Sequence, residues 1–278
     1  MTIDPRLQDI LYAKSIGQSK EFVYSHPEYR PTPIERLRFW YYLRQAKRNI
    51  PLAYIIHEQE FCSLRFKVNR HTLIPRPDTE LMVGEVVKIL NNSKNSLFID
   101  VGTGSGCIAI SALVEVKKNP STNPQTIAID LSKKALKVAR KNAKLHQVNI
   151  KFVQGNLLTP LSDTKLGNFK NIVITANLPY LTSEQFAKEP SIQHEPHEAL
   201  VADSTNGLSL YKKLLEQATT FPFPTTLLLE IDPGQSSGVK QLASSLFPEA
   251  LLKIKTDLTG RDRLAIIINS IHSPQSSQ

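Results

Sequence analysis

Cysteine is nearly missing from this chain. Cys62 and Cys107 are its two cysteines in 278 residues, too few for a disulfide framework or a cysteine-built metal site. Long apolar runs are missing too: none approaches the ~20 residues of a membrane span. Met1-Thr2-Ile3-Asp4-Pro5 lacks the basic segment and apolar run of a signal peptide. Internal repeats are absent. These gaps leave a reduced, cytoplasmic protein without membrane contact as the expectation. A monomer is expected. The length favours one large or two modest domains, and a hydrophobic content of 41% suffices for an ordinary core.

Acidic residues are in short supply, 25 against 34 Lys plus Arg, for a net charge of +9. Such a charge attracts nucleic acid or acidic protein surfaces. The densest basic stretch is Lys133, Lys134, Lys137, Arg140, Lys141, Lys144 and Lys151, with Ala135, Val138, Ala139 and Ala143 between them at helical spacing. It reads either as a nucleic-acid patch or as the solvated face of an amphipathic helix. No aromatic residue interleaves with the lysines, as stacking on single strands would require. The solvated face is preferred, with weak nucleic-acid contact as the alternative.

Residues 1 to about 55 show no strand-like alternation. Leu7, Ile10, Leu11 and Ile16 predict a first helix. Pro27 to Pro33 is a break. Ile34, Leu37, Trp40, Tyr41 and Leu43 predict a second helix, with Trp40 in its core. Glu60 to Val68 alternates apolar and polar, as a half-buried hairpin or extended connector does. Leu73-Ile74-Pro75-Arg76-Pro77 is extended, because each proline disfavours helix in its predecessor. A helix then starts at Pro77-Asp78-Thr79-Glu80 and runs through Leu90. From residue 97 strands alternate with helical patterns. Strands are expected at 97–101, 126–130, 150–154, 171–176, 225–231, 251–257 and 264–270. That alternation predicts an α/β fold with a parallel sheet covered on both faces. Polar loops are expected at 117–125 and 159–170, and a disordered tail at 273–278.

Two segments carry chemistry. Phe98-Ile99-Asp100-Val101-Gly102-Thr103-Gly104-Ser105-Gly106 reads as a strand entering a glycine turn, which lets backbone approach a ligand closely. A dinucleotide fingerprint needs glycine where Cys107 stands. The next strand ends in Asp130, placed to accept from both ribose hydroxyls, and Asn156 after the third strand can meet an adenine amino group. Gly102, Thr103, Gly104, Gly106, Asp130, Asn156 and Asn177 thus suit an adenosyl cofactor, S-adenosylmethionine. The other reading is a structural turn with Asp130 capping a helix before Ser132.

The second segment is Asn177-Leu178-Pro179-Tyr180, directly after Ile172-Val173-Ile174. A planar nitrogen is a poor nucleophile, because its lone pair is delocalised. A site that methylates one must orient the NH₂ group. The Asn177 side-chain oxygen and the Leu178 carbonyl can each accept one N–H, leaving the lone pair facing a methyl donor. Pro179 stiffens the loop, and Tyr180 packs on the flat group. The catalytic candidates are Asn177 and Tyr180, and the substrate-binding candidates Asn177, Leu178, Pro179 and Tyr180. Rate would come from proximity and orientation.

From about residue 36 to 270 the chain resembles the protein-(glutamine-N5) methyltransferases of peptide chain release factors. The resemblance rests on Pro51-Leu52-Ala53-Tyr54-Ile55, Glu60-Phe61, Leu73 to Glu80, the glycine turn, Glu195-Pro196, Ala199-Leu200, Gly207-Leu208, Leu229-Glu230-Ile231, Gln235, and Asp257-Leu258 with Gly260 to Arg263. It implies a seven-stranded Rossmann-like class I methyltransferase domain at 81–278, a small helical substrate-docking domain at 1–56, and a β-hairpin linker and lid segment at 57–80. It further implies methylation of the glutamine in the release factor's Gly-Gly-Gln loop. Three positions depart from the family's pattern. Leu178 stands for the first proline of Asn-Pro-Pro-Tyr, as in ribosomal-RNA adenine dimethyltransferases, adding an N–H and loosening φ. Ile56-His57 displaces a glycine, and Asn156 stands for an aspartate. Activity is expected to survive Leu178. Two other functions stay open: a nucleic-acid adenine methyltransferase, acting on a flipped or single-stranded base, and a non-catalytic binding module.

His194 and His197 are too few for a metal site, and Pro196 argues against the helix one would need, so no metal is expected. Arg76 is expected to order the lid through Glu80 or Asp78. Asp257, Arg261, Asp262 and Arg263 are expected to form a structural network joining two strands at the sheet's far end.

Overall fold

A computed structural model describes residues 3–162, 167–202 and 206–270. The tail at 273–278 and part of the 159–170 loop lie outside them. Four helices come first: α1 (Pro5–Ser15), α2 (Lys20–Ser25), α3 (Pro33–Ala46) and α4 (Leu52–Ile56). A hairpin follows, β1 (Glu58–Phe61) and β2 (Leu64–Lys67), and then α5 (Glu80–Asn91). The alternating part is β3 (Ser96–Val101), α6 (Cys107–Val116), β4 (Gln125–Asp130), α7 (Lys133–Leu145), β5 (Lys151–Gln154), β6 (Asn171–Ala176), α8 (Ser183–Lys188), α9 (Ser209–Ala218), β7 (Thr225–Glu230), α10 (Ser236–Leu246), β8 (Leu251–Thr256) and β9 (Asp262–Asn269).

Each strand expected from residue 97 onward is present, and among the described residues the seven form one sheet in the order β5-β4-β3-β6-β7-β9-β8. The sheet is mixed rather than parallel. β9 runs antiparallel to β7 and to β8, so its first residues lie at the carboxyl end of the parallel strands. β3 and β7 are buried at every position, as expected of central strands covered by helices on both faces. At the start of the 159–170 stretch, Leu161 is buried in the main core with the preceding Leu157 and Leu158, around a short turn at Thr159–Leu161.

The helical segment is held mainly through α1. Tyr12 meets Phe39 edge-on at 5.3 Å, and Arg38 donates to the Ser15 carbonyl at 2.8 Å. α3 starts on a Thr32–Glu35 capping box and buries none of its residues fully. Trp40 is therefore no core residue. It is 56% exposed, in a stripe with Ile34, Leu37 and Tyr41.

The hairpin turns through Cys62 and Ser63, both with positive φ, as a two-residue turn matching the strand twist requires. Glu80 accepts the Cys62 N–H at 2.7 Å and holds this glycine-free turn. Phe61 and Phe66 bury against the helices of the main body. His57 occupies the left-handed C-cap of α4, a conformation that glycine adopts most readily.

The basic helix α7 is amphipathic, as its spacing predicts. Its six Lys and Arg side chains from Lys133 to Lys144 are exposed, while Ala135, Leu136, Val138, Ala139 and Ala143 face inward. Asn142 is the polar exception, fully buried. Its amide donates to Lys67 O at 3.0 Å and Ser105 O at 2.9 Å and accepts from Lys67 N at 2.8 Å. One side chain thus ties the hairpin, α7 and the glycine turn together. Asn142→Ala strands those buried backbone groups and is expected to lower stability by about 2–4 kcal/mol, read as a drop in denaturant midpoint at unchanged m-value.

Candidate active site

At the carboxyl ends of the parallel strands lies a cavity of about 600 Å³, lined among others by Gly102, Thr103, Gly104, Asp130, Asn156, Asn177, Leu178 and Pro179. Open α/β sheets place ligands in that crevice. The cavity brings together the glycine turn and the tetrapeptide, because β3 and β6 are neighbours with Asp100 opposite Thr175. Two predicted residues lie elsewhere. Gly106 is the N-cap of α6, packed against Ile110 and Ala139. Tyr180 stands outside the cavity lining, packed on the main core, with its phenol pKa raised by burial.

The glycine turn is held by its own backbone. Gly102 N and Thr103 N donate to Ile129 O at 2.9 and 3.0 Å. Gly104 N donates to Asp130 Oδ2 at 2.8 Å, and Asp130 Oδ1 accepts from Ser132 N at 2.8 Å. Burial raises the Asp130 pKa against those bonds. Asp130 is not the helix cap; Ser132 is, accepting from Ala135 N. Gly102 has φ +71, and a Cβ there would sit 3.0 Å from Leu178 Cδ2. The bare backbone of the turn therefore floors the tetrapeptide.

Asp100 joins the two halves. Fully buried, it accepts from Thr103 Oγ1 at 2.6 Å and from Thr175 Oγ1 at 2.7 Å. Burial pushes its carboxyl up to about 6, although these hydroxyls and the Ala109 N–H pull it down. Behind the tetrapeptide sits Glu230, whose carboxyl burial raises to about 7, opposed by hydrogen bonding with Thr79, by Arg263 and by Asn177. Asn177 Nδ2 donates to Thr79 Oγ1 at 3.3 Å, so Oδ1 is the accepting end of the amide. Cys107 also lines the cavity, but burial lifts its thiol to about 12, so it is no thiolate nucleophile.

Two expectations about charges need correction. Arg76 pairs with Glu195, not with Glu80 or Asp78. Glu195 is 5% exposed, and its second oxygen accepts from Ile74 N at 3.0 Å, so this carboxylate clasps the extended Leu73–Pro77 segment. The Arg263 network lies at the site end of the sheet, not its far end, because β9 is antiparallel. Arg263 reaches Asp78 and Asp257, each at 3.4 Å, and so ties the short turn at Pro77–Thr79 to the last strand. His194 contacts Arg48 O at 3.0 Å, and His197 sits edge-on to Phe186.

Local pattern assigns Gly207 no role, and the structure supplies one. Its φ is +67, and a Cβ there would fall 2.1 Å from the Tyr180 carbonyl oxygen. Gln235 Nε2 donates to that same oxygen at 3.3 Å and to Asn206 O at 3.0 Å. The glycine lets one loop pass the other, and the glutamine pins both.

The buried carboxyls predict a pH dependence. Asp100 and Glu230 bind protons more tightly folded than at their ordinary values of 3.8 and 4.5. Their contribution to stability is intact below those ordinary values and is lost as pH rises through about 6 and about 7. Glu230→Gln is expected to flatten the upper part of that decline. Denaturant midpoints across about pH 5–8 test it; an unchanged slope in the variant would remove Glu230 from the account.

Comparisons with known proteins place the chain in a family. A family model described as "Methyltransferase domain" matches residues 92–219. The hMettl16 catalytic domain, solved in complex with a 3′UTR hairpin, matches with a TM-score of 0.55 over 74% of this chain and 76% of that one, at 15% identity. Human methyltransferase 10 domain containing protein gives 0.51 over 76% and 90%, at 16% identity. At such identities these two speak for the Rossmann-like methyltransferase fold alone. The release factor glutamine methyltransferase of Enterococcus faecalis is 37% identical over 227 residues, covering 81% of this chain and 78% of that protein. The protein of the same name from Bacillus subtilis is 36% identical over 240 residues, covering 82% and 79%. Likeness of that extent takes in most of both chains, and this chain belongs to the release factor glutamine methyltransferase family.

Proposed function

We propose that this chain transfers a methyl group from S-adenosylmethionine to the side-chain amide nitrogen of the glutamine in the Gly-Gly-Gln loop of peptide chain release factors, acting as a cytoplasmic monomer. The observation that carries this reading is the half-buried Asn177, held by Thr79 beside the glycine turn in one cavity.

The cavity suits the cofactor in size and chemistry. About 600 Å³ accommodates a nucleoside-sized ligand. The positive-φ backbone of Gly102 and Gly104 allows close approach, the Asp130 carboxylate can accept from ribose hydroxyls, and the Asn156 amide can meet adenine. S-adenosylmethionine bound there supplies an electrophilic methyl group. Asn177 Oδ1 and the Leu178 carbonyl take the two N–H groups of the substrate amide, one each. The amide plane is then fixed and its lone pair faces the glycine turn. Pro179 and the Gln235 clamp on Tyr180 keep the loop in that shape. Orientation of this kind supplies much of a barrier reduction without a strong base.

Residues 1–56 serve as the docking domain, 57–80 as linker and lid, and 81–278 as the catalytic domain. Ile34, Leu37, Trp40 and Tyr41 form an exposed apolar stripe on α3, with the Arg44 guanidinium 5.6 Å from the Trp40 ring. Aromatic and arginine side chains are common binding anchors. Leu37→Asp is expected to raise KM for release factor about tenfold or more, with kcat and cofactor affinity retained. An unchanged KM would move docking to another surface.

Labelled S-adenosylmethionine, purified release factor and mass spectrometry test the activity itself. The expected product carries one methyl on the glutamine. Asn177→Ala is expected to lower kcat about 10²-fold, with a smaller change in KM. Transfer to ribosomal RNA but not to release factor would assign the chain to the adenine methyltransferases. Absence of both transfer and cofactor binding would favour a binding module.

A further inference from the structure

A leucine at position 178 brings a main-chain N–H that a proline would not have. Leu178 is 4% exposed, and an unpaired N–H at such a place is costly. The N–H donates to the Tyr211 phenol oxygen at 3.3 Å. The Tyr211 hydroxyl in turn donates to the backbone carbonyl of Glu230. Tyr211 sits on α9 with no exposed surface. A phenol has one proton to give and lone pairs to receive, and here both capacities are used within the protein. The leucine side chain is fixed from the other side, against Gly102. Leu178 is thus held at its main chain by Tyr211 and at its side chain by the glycine turn.

We propose that Tyr211 is a positioning residue for methyl transfer. It supplies, through the Leu178 N–H, the restraint on the tetrapeptide that a fixed φ would otherwise give, and so sets where the Leu178 carbonyl points. This rests on the proposed role of that carbonyl. Tyr211 is absent from the cavity lining and acts through Leu178.

The geometry makes an unusual demand on a double-mutant cycle. In Leu178→Pro the ring Cδ takes the place of the N–H, directly under the Tyr211 oxygen. The hydroxyl that supports leucine then obstructs proline. Tyr211→Phe is therefore expected to lower kcat about tenfold in the native background. In the Leu178→Pro background the same change leaves kcat unaltered or raises it. Cofactor affinity stays the same throughout. Denaturant midpoints of the four proteins should show a smaller loss from Tyr211→Phe in the Leu178→Pro background, where only the bond to the Glu230 carbonyl is left to lose, and amide exchange at Leu178 should quicken in Tyr211→Phe. Equal kcat factors in both backgrounds would overturn the proposal. So would a Tyr211→Phe protein that is less stable yet turns over normally. If the native protein fails to methylate release factor, the stability cycle and the exchange rate still decide. Non-additivity there would mean that the anchor exists and the assigned reaction is wrong; additivity there would mean that the anchor itself is absent.

Discussion

The site depends on one buried carboxylate. Asp100 lies next to the end of β3 with no solvent contact, and its two oxygens receive the hydroxyls of Thr103 and Thr175. Thr103 belongs to the glycine turn, and Thr175 stands two residues before Asn177. The relative placement of the two half-sites is thereby fixed by side-chain bonds as well as by strand pairing. The arrangement opposes ionisation, since burial outweighs the hydrogen bonds and lifts the carboxyl toward neutrality. Such a residue weakens the fold at neutral pH, and its use here is to set distances. Sites that hold their groups in this way give up stability for preorganisation.

Around that link the remaining contacts act as clasps between segments far apart in the chain. Glu195 holds the extended segment at Ile74 and Arg76. Arg263 draws Asp78 toward the last strand. Gln235 fixes Tyr180 and Asn206. Each joins a loop to an element it does not follow in sequence. Charge pairs with one partner partly exposed add little net stability; here they tie distant segments together. The tetrapeptide stands where these clasps converge.

Much of the fold is legible in the sequence because buried strands betray themselves as short apolar runs. Val173 and Leu228 each sit in such a run, bounded by polar or turn-forming residues, and each lies on a strand. The glycine turn and Asn177 are legible for a different reason: few residue types satisfy the local chemistry. What escapes depends on pairing across long separations. The partner of Arg76 lies 119 positions away, and no local pattern distinguishes Glu195 from Glu80. Asn142 is hidden in a helix whose lysines dominate its appearance. Large aromatics are usually buried, yet the face that Trp40 occupies has no partner within the described chain. The antiparallel direction of β9 is hidden because a strand's sequence carries no arrow.

That last strand has a further consequence, for synthesis. β9 is made after every other strand, yet it lies between β7 and β8 in the finished sheet. A chain growing from the ribosome presents β7 for some time with one backbone edge open. Unpaired edges invite pairing with other chains. The sheet closes when residues 262–269 arrive, and Arg263, which pairs with Asp78, arrives in the same stretch. Closure of the sheet and the Arg263–Asp78 pairing thus both wait for the same strand.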